Sequence, residues 1–272
     1  MKNISINVVG IGAESYPNGT TPLEILSSTK GIAKDTIICK VDDILTDLST
    51  SLTGDATVQF LDGKSKDGHS VLLHSTAHLM AQAVKRLYPK TKVTIGPYLE
   101  NRFYYDFDVE TPFTEQDLLK IEKEMLKISQ ENLEIVHEVK SRKEALKFFK
   151  KIGEDYKVEI INDLDKSEVL KVYAQGDFTD LCRGPHVPST GTIQHFKLLS
   201  SSAAYWRGDE NNQTLQRVYG TSFTSAKELK KYLLMLEEQK KRDHRKIGKE
   251  LDLYFHDEEV GPGLPLWTPN GA

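Results

Sequence analysis

The sequence predicts an α+β protein in which a small mixed unit precedes a larger α+β domain and a long C-terminal helix. Three observations predict it. Alternating apolar positions and chain-reversal signals crowd the first sixty or so residues, strands and helices alternate irregularly from 70 to 222, and a helical pattern starts near 224. At 272 residues the chain is long for one domain. Its 38% hydrophobic and 28% charged residues are ordinary for a globular protein. The net charge of −4 shows no global basicity, so a nucleic-acid partner would have to be met by a local patch. Two distant cysteines, Cys39 and Cys182, make no disulfide framework and point to a reducing, cytoplasmic setting. The start MKNISINVV has no signal-peptide pattern, and no apolar run approaches the ~18 residues of a membrane span.

In the first unit, Ile4, Ile6 and Val8 alternate with polar residues as in a half-buried strand. Pro17-Asn18-Gly19 reverses the chain. TTPLEILSSTKG reads as a helix with Thr21 as N-cap, Pro22 at its first position and Gly31 as its stop. TIICKV and ATVQFL read as strands, and Cys39 as a core residue. A hairpin, a helix and further strands in about sixty residues suit a ubiquitin-like β-grasp, and LDGKSKDGHS (61–70) marks a boundary. Beyond it, SVLLHSTAHLMAQAVKRLYP carries a helical apolar stripe. VTIGPY and RFYYDFDV read as strands, and TEQDLLKIEKEMLKISQEN as a helix opened by Thr114. LEIVHEVK is a strand, and SRKEALKFFKKIG a helix opened by a Ser141/Glu144 capping box. YKVEII, VLKVYA, HFKLLSSSAAY and LQRVYGTSF read as strands. From 224, TSAKELKKYLLMLEEQKKRDHRKIGKEL reads as one long helix, with nine Lys and Arg against four Asp and Glu between 227 and 249. Either it is a solvated linker, or lysines such as 227, 230, 231, 240 and 241 meet phosphates. The Gly- and Pro-rich tail ends without a closing element, as expected of a piece cut just inside another domain.

His74 and His78, in HSTAH, lie one helical turn apart and can reach one ligand. A single histidine on such a helix is usually structural; a pair raises the prospect of a site. No glutamate follows His74, so this is not the metalloprotease signature. DLCRGPHVPSTG packs Asp180, Cys182, Arg183 and His186 into seven positions, and Gly184-Pro185 excludes a regular helix there. His74, His78, Cys182 and His186 form a Cys/His₃ set acceptable to tetrahedral zinc, although spacing leaves open whether they converge. The same residues suit metal-free hydrolysis, because neutral imidazole accepts or relays a proton near pH 7.

HSTAH, GPYLENRFYYDFD, GEDYKVEII, DLCRGPHVPSTG, AAYWRGDENNQTLQRVYGTSF and KKRDHRKIGKELDLYFHDE together, and in this order, resemble the bacterial threonyl-tRNA synthetases. The resemblance runs along essentially the whole chain. It implies a TGS β-grasp domain over 1–62, an editing domain that deacylates tRNA over 63–223, a basic linker helix over 224–248 and the truncated start of a class II catalytic domain over 249–272. It implies an N-terminal part of an ATP-dependent threonine–tRNA ligase that hydrolyses mischarged Ser-tRNA(Thr) and does not itself aminoacylate. Carried over, the editing pocket falls on His74, His78, Tyr105, Lys157, Asp180, Cys182 and His186. His74 and Lys157 are expected to position or activate water, and Asp180 to hold the seryl amine. His78, Cys182 and His186 are expected to surround the ester and ribose, and Tyr105 to pack against the terminal adenosine. Tyr104 would point to the opposite face of its strand.

The resemblance implies no cofactor for editing. The full-length enzyme is expected to use ATP, Mg2+ and a catalytic Zn2+ held outside this chain. The expected partner is tRNA(Thr), through its 3′-terminal aminoacyl-adenosine, with no membrane involved. A homodimer is expected at full length, which leaves this portion free to be a monomer. Two other readings stand beside it. One is a tRNA-binding or regulatory module with a non-catalytic pocket, which a β-grasp unit and a basic helix would suit. The other is a zinc-dependent hydrolase akin to alanyl-tRNA editing proteins, which share the histidine pair; CRGPH with YWRGD is of the threonyl type. Trp206-Arg207-Gly208-Asp209 is either a tRNA contact or a turn around a packed tryptophan.

Overall fold

The computed structural model describes residues 3–257, 260–261 and 263–272. It comprises two compact units, Met1–Ser225 and Ala226–Ala272. The first opens with β1 (Asn3–Val8), β2 (Gly12–Pro17), α1 (Pro22–Ser28), β3 (Thr36–Val41), β4 (Ile44–Thr46) and β5 (Ala56–Asp62). These strands form one sheet in the order β2-β1-β5-β3-β4, with β1 parallel to β5 and the other pairs antiparallel. The period-2 pattern of β1 buries Ile4, Ile6 and Val8 and exposes the residues between. They meet Ile25 of α1, Cys39, Leu48 and Val58 in a core of their own. Thr21 and Glu24 cap α1 reciprocally, with Pro22 at its start.

The chain continues with α2 (Lys66–Leu87), β6 (Lys92–Val93), β7 (Tyr98–Leu99), β8 (Arg102–Asp108), α3 (Glu115–Glu131), β9 (Ile135–Lys140), α4 (Arg142–Lys151), α5 (Asp155–Asp163), β10 (Leu170–Gln175), β11 (Phe178–Leu181), β12 (His195–Tyr205) and β13 (Thr214–Phe223). One sheet runs β12-β13-β8-β6, with β7 added on β8; a second runs β11-β10-β9. Helix α2 is the common support. From Val71 to Val84 every residue except His74 is buried, and Leu72, Leu73, Leu79 and Met80 join Phe103, Tyr105, Phe107 and Val218 in the main core. A helix buried all round must satisfy its polar side chains internally. Thr76 Oγ1 donates to the Leu72 carbonyl, and Gln82 and Gln175 bond each other.

Four expectations need correction. YKVEII is not a strand but most of α5. Its buried positions, Glu154, Lys157 and Ile161, keep a helical spacing, and two of them are charged, so the apolar residues alone mimic a period of two. The boundary within 61–70 is short, because α2 already begins at Lys66 behind the Ser65 cap. VTIGPY is only two brief strands, β6 and β7, around Gly96-Pro97. The long C-terminal helix is two, α6 (Ala226–Lys241) and α7 (His244–Glu250), because Asp243 caps the second by accepting from Arg245 N. The second unit ends in a ribbon of β14 (Tyr254–His256) and β15 (Pro265–Trp267). Trp206 is buried, with Nε1 donating to Glu159, and Arg207 bridges Glu159 and Asp163, so WRGD is a packed turn. No helix among the described residues is long and apolar enough to cross a membrane.

Phe107 is fully buried and Leu119 is 55% exposed. Urea unfolding is expected to show Phe107→Ala destabilised by ~3–5 kcal/mol and Leu119→Ala changed by less than ~0.5 kcal/mol.

Candidate active site

The seven residues singled out by sequence lie in one contiguous cluster where α2, β8, α5, β11 and the 182–187 segment meet. Histidines 74 and 78 project from α2 one turn apart, with ring centroids 5.0 Å from each other. The segment after β11 folds back and stacks His186 against His74 at 4.6 Å and against the edge of His78 at 4.4 Å. Gly184 makes this return possible. Its φ of +70° suits glycine, and a Cβ there would sit 1.9 Å from the Tyr173 hydroxyl.

Lys157 and Asp180 form the charged floor. Lys157 Nζ lies 2.6 Å from Asp180 Oδ1 and donates to the Thr94 carbonyl (2.5 Å) and Tyr105 Oη (3.1 Å). Tyr105 donates to Asp180 Oδ2 at 2.6 Å, and Leu181 N donates to Oδ1 at 2.8 Å. His78 Nδ1 stands 3.7 Å from the same carboxylate. These donors fill the oxygens of the Asp180 side chain, which a dry place would otherwise leave without partners. Tyr105 is fully buried, so it presents its hydroxyl to the site and no open ring face. Burial and the neighbouring Asp180 hold that hydroxyl protonated, far above the usual tyrosine range. Tyr104 points to the other face of β8, under the Arg217 guanidinium.

The imidazoles are neutral. Burial lowers the His74 pKa, and it lowers those of His78 and His186 well below the ordinary value, with the neighbouring histidines adding to the effect on both. His74 Nδ1–H donates to the Gly96 carbonyl at 3.3 Å, which makes Nε2 the basic nitrogen. Nε2 faces the Cys182 sulfur at 3.0 Å. Burial pushes the Cys182 thiol up to about 12, so it stands as S–H and donates to His74 rather than acting as a nucleophile.

Three positioning residues escape a reading of the motifs. Ser75, inside HSTAH, bonds His186 Nδ1 (3.0 Å) and accepts from Val187 N (3.1 Å). Glu154, buried at the start of α5, accepts from Lys85 and Val93 N and so places Lys157. Asp47, after β4, accepts from His186 N (2.8 Å) and Tyr173 Oη (2.7 Å), tying the first sheet to the histidine segment. Ser75 was within reach of motif reading; Asp47 lies 139 residues from His186 and gave no local signal.

His74, His78, Cys182 and His186 each offer a donor atom within 4.8 Å of the others. Two of the imidazoles also carry an orienting partner, the Gly96 carbonyl for His74 and Ser75 for His186, as metal-bound histidines commonly do. The donor set therefore fits a zinc-type ion.

Residues 170–219 match the family described as the second additional domain of threonyl and alanyl tRNA synthetases. Curated relatives align along nearly all of the chain. Threonine–tRNA ligase of Pelobacter propionicus (strain DSM 2379 / NBRC 103807 / OttBd1) is 51% identical over 273 residues, covering 100% of this chain and 43% of its own. That of Geobacillus sp. (strain WCH70) is 51% identical over 260 residues, 95% and 40% respectively. That of Burkholderia vietnamiensis (strain G4 / LMG 22486) is 48% identical over 269 residues, 98% and 42%.

Two expected outcomes follow from the geometry. In metal-free protein, the three histidines bind fewer protons folded than unfolded below the ordinary pKa of about 6.5, so acid favours unfolding. Stability should be full above that pH and fall toward the lowered folded values by roughly 1.4 kcal/mol per pH unit for each histidine, read from urea midpoints at pH 7.5, 6.5 and 5.5. Lys157→Ala strands a buried carboxylate and should cost ~3–5 kcal/mol, whereas Lys157→Met with Asp180→Leu should recover most of it.

The chain is thus similar along nearly its whole length to threonine–tRNA ligases, spans about two fifths of theirs, and over 170–219 matches the second additional domain of threonyl and alanyl tRNA synthetases.

Proposed function

We propose that the site hydrolyses the ester of mischarged Ser-tRNA(Thr), the proofreading step of a threonine–tRNA ligase. The observation that carries this is a neutral His74, its Nδ1 tied to the Gly96 carbonyl and its Nε2 facing Cys182, in one cluster with a buried carboxylate balanced by Lys157. Asp180 accepts from the seryl ammonium, and Lys157 holds that carboxylate in place. Once water displaces the Cys182 S–H from it, His74 Nε2 takes a proton from that water as the water oxygen bonds to the carbonyl carbon. The bond to the ribose oxygen then breaks, that oxygen receives a proton from the imidazolium, and serine and tRNA leave. The Tyr105 hydroxyl completes the floor. His78, Cys182 and His186 form the wall around the ester and ribose.

A synthetic site that accepts threonine excludes serine poorly, since a missing methyl is worth only about 1–3 kcal/mol. A second, tighter site rejects threonine by crowding its methyl, which gives the pair a double sieve. On this reading residues 1–62 are a TGS β-grasp domain, supported by the single helix on a five-stranded sheet with parallel β1 and β5. Residues 63–223 are the editing domain, 224–248 the linker and 249–272 the start of the class II domain. The complete protein joins threonine to tRNA(Thr) with ATP and Mg2+, holds its catalytic Zn2+ beyond these residues, and works in the cytoplasm as a homodimer.

A metal-assisted form of the same hydrolysis is favoured by the convergence of four donors. His74, His78, Cys182 and His186 would hold the ion, which would polarise a carbonyl or acidify water.

The purified chain, mixed with Ser-tRNA(Thr) and Thr-tRNA(Thr), is expected to release serine selectively without added metal. His74→Ala should slow that release by ~10²-fold or more, with the circular dichroism spectrum unchanged. Equal loss of both esters, or no loss beyond the spontaneous rate, would overturn the proposal. Loss of activity on chelation, restored by zinc, would select the metal-assisted form.

A further inference from the structure

Hydrolysis at the histidines leaves the terminal base of the nucleic acid without a partner. Tyr105 cannot provide one. It is sealed beneath Gly96, where a Cβ would lie 2.2 Å from its ring, and is stacked on Phe107 at 5.2 Å. Among the described residues, Tyr98 is an exposed aromatic that packs beside His74. Its ring lies 6.4 Å from His74, inclined by 65°, and is 50% exposed. Ile95 and Leu99 beside it are also exposed, so a short apolar lip borders a polar, titratable site.

That lip is held in place by backbone. The Gly96 carbonyl accepts from His74, the Ile95 carbonyl from Asp106 N (3.1 Å) and the Pro97 carbonyl from Tyr104 N (3.2 Å). Tyr98 itself pairs with Phe103 of β8, an interior strand of its sheet. Glycine at 96 lets the segment lie flat on Tyr105, and this close approach brings residue 98 beside His74. A half-exposed aromatic ring, held by backbone beside a polar site, offers what an unpaired base needs. Every base has a π-face, and stacking requires no edge recognition.

We propose that Tyr98 is the platform on which the unpaired 3′-terminal base stacks while its aminoacyl ester enters the histidine site. This rests on the deacylase reading. Tyr98 acts on binding rather than on the chemical step.

The test is a binding cycle with a compound that cannot turn over, 3′-seryl-amido-3′-deoxyadenosine, and its base-free counterpart. Wild-type chain is expected to prefer the base-bearing compound by about 5- to 150-fold, the range of base–aromatic stacking. Tyr98→Ala should erase most of that preference and leave affinity for the base-free compound unchanged, while Tyr98→Phe should retain it. With Ser-tRNA(Thr), Tyr98→Ala should raise KM by a like factor and hold kcat within about twofold. The proposal is overturned if Tyr98→Ala keeps the preference, or weakens both compounds equally. Failure of the deacylase reading shows differently: base-dependent binding through Tyr98 beside a seryl ester that stays intact would keep the platform and sink the hydrolase.

Discussion

The ion pair between Lys157 and Asp180 is the constraint around which the site is built. Both side chains are almost excluded from water, at 3% and 2% exposure. An isolated charge there would cost several kcal/mol, so each must find the other and fill its remaining valences. The Thr94 carbonyl, the Tyr105 hydroxyl and Leu181 N fill them, which ties the segment after β6, β8, α5 and β11 together at one point. Such a pair adds little net stability compared with apolar packing, but it tolerates only one arrangement of its neighbours. That arrangement leaves a carboxylate facing His78 at the end of a polar site.

Helix α2 supplies the opposite wall and meets the opposite demand. Burial outweighs the Asp180 carboxylate 3.7 Å from His78, so the His74 and His78 imidazoles are held neutral rather than charged. Charged floor and neutral wall differ only in how their neighbours compensate burial, and this difference divides binding of a cation from transfer of a proton. The Asp47 carboxylate extends the same logic across the fold. By accepting from His186 N and Tyr173, it makes the small N-terminal sheet part of the support for the histidine segment. Gly96 does for the lip what Gly184 does for that segment, allowing backbone to come where a Cβ would collide.

Stretches whose buried residues are apolar were legible in the sequence. β1 and α3 show their burial period in plain hydrophobic letters, and the caps Thr21, Thr114 and Ser141 mark helix starts through local chemistry. α5 was misread because its inward positions are Glu154 and Lys157, charges that count as surface until their partners are known. The break at Asp243 was lost inside a run of helix-favouring lysines and arginines, where one capping carboxylate outweighs the pattern.

What the sequence by itself determined is therefore what depends on neighbours along the chain: the α+β class, most elements, the histidine pair and the shaped loop around Cys182. Tertiary structure alone decided which distant groups share one dielectric environment. It joined Asp180 to Lys157, set the Cys182 thiol against His74, lent Asp47 to His186, withdrew the Tyr105 ring and left that of Tyr98 open. The physical reason is that protonation state and accessibility depend on burial and on charges within a few ångströms, and folding brings such charges together from positions far apart in sequence.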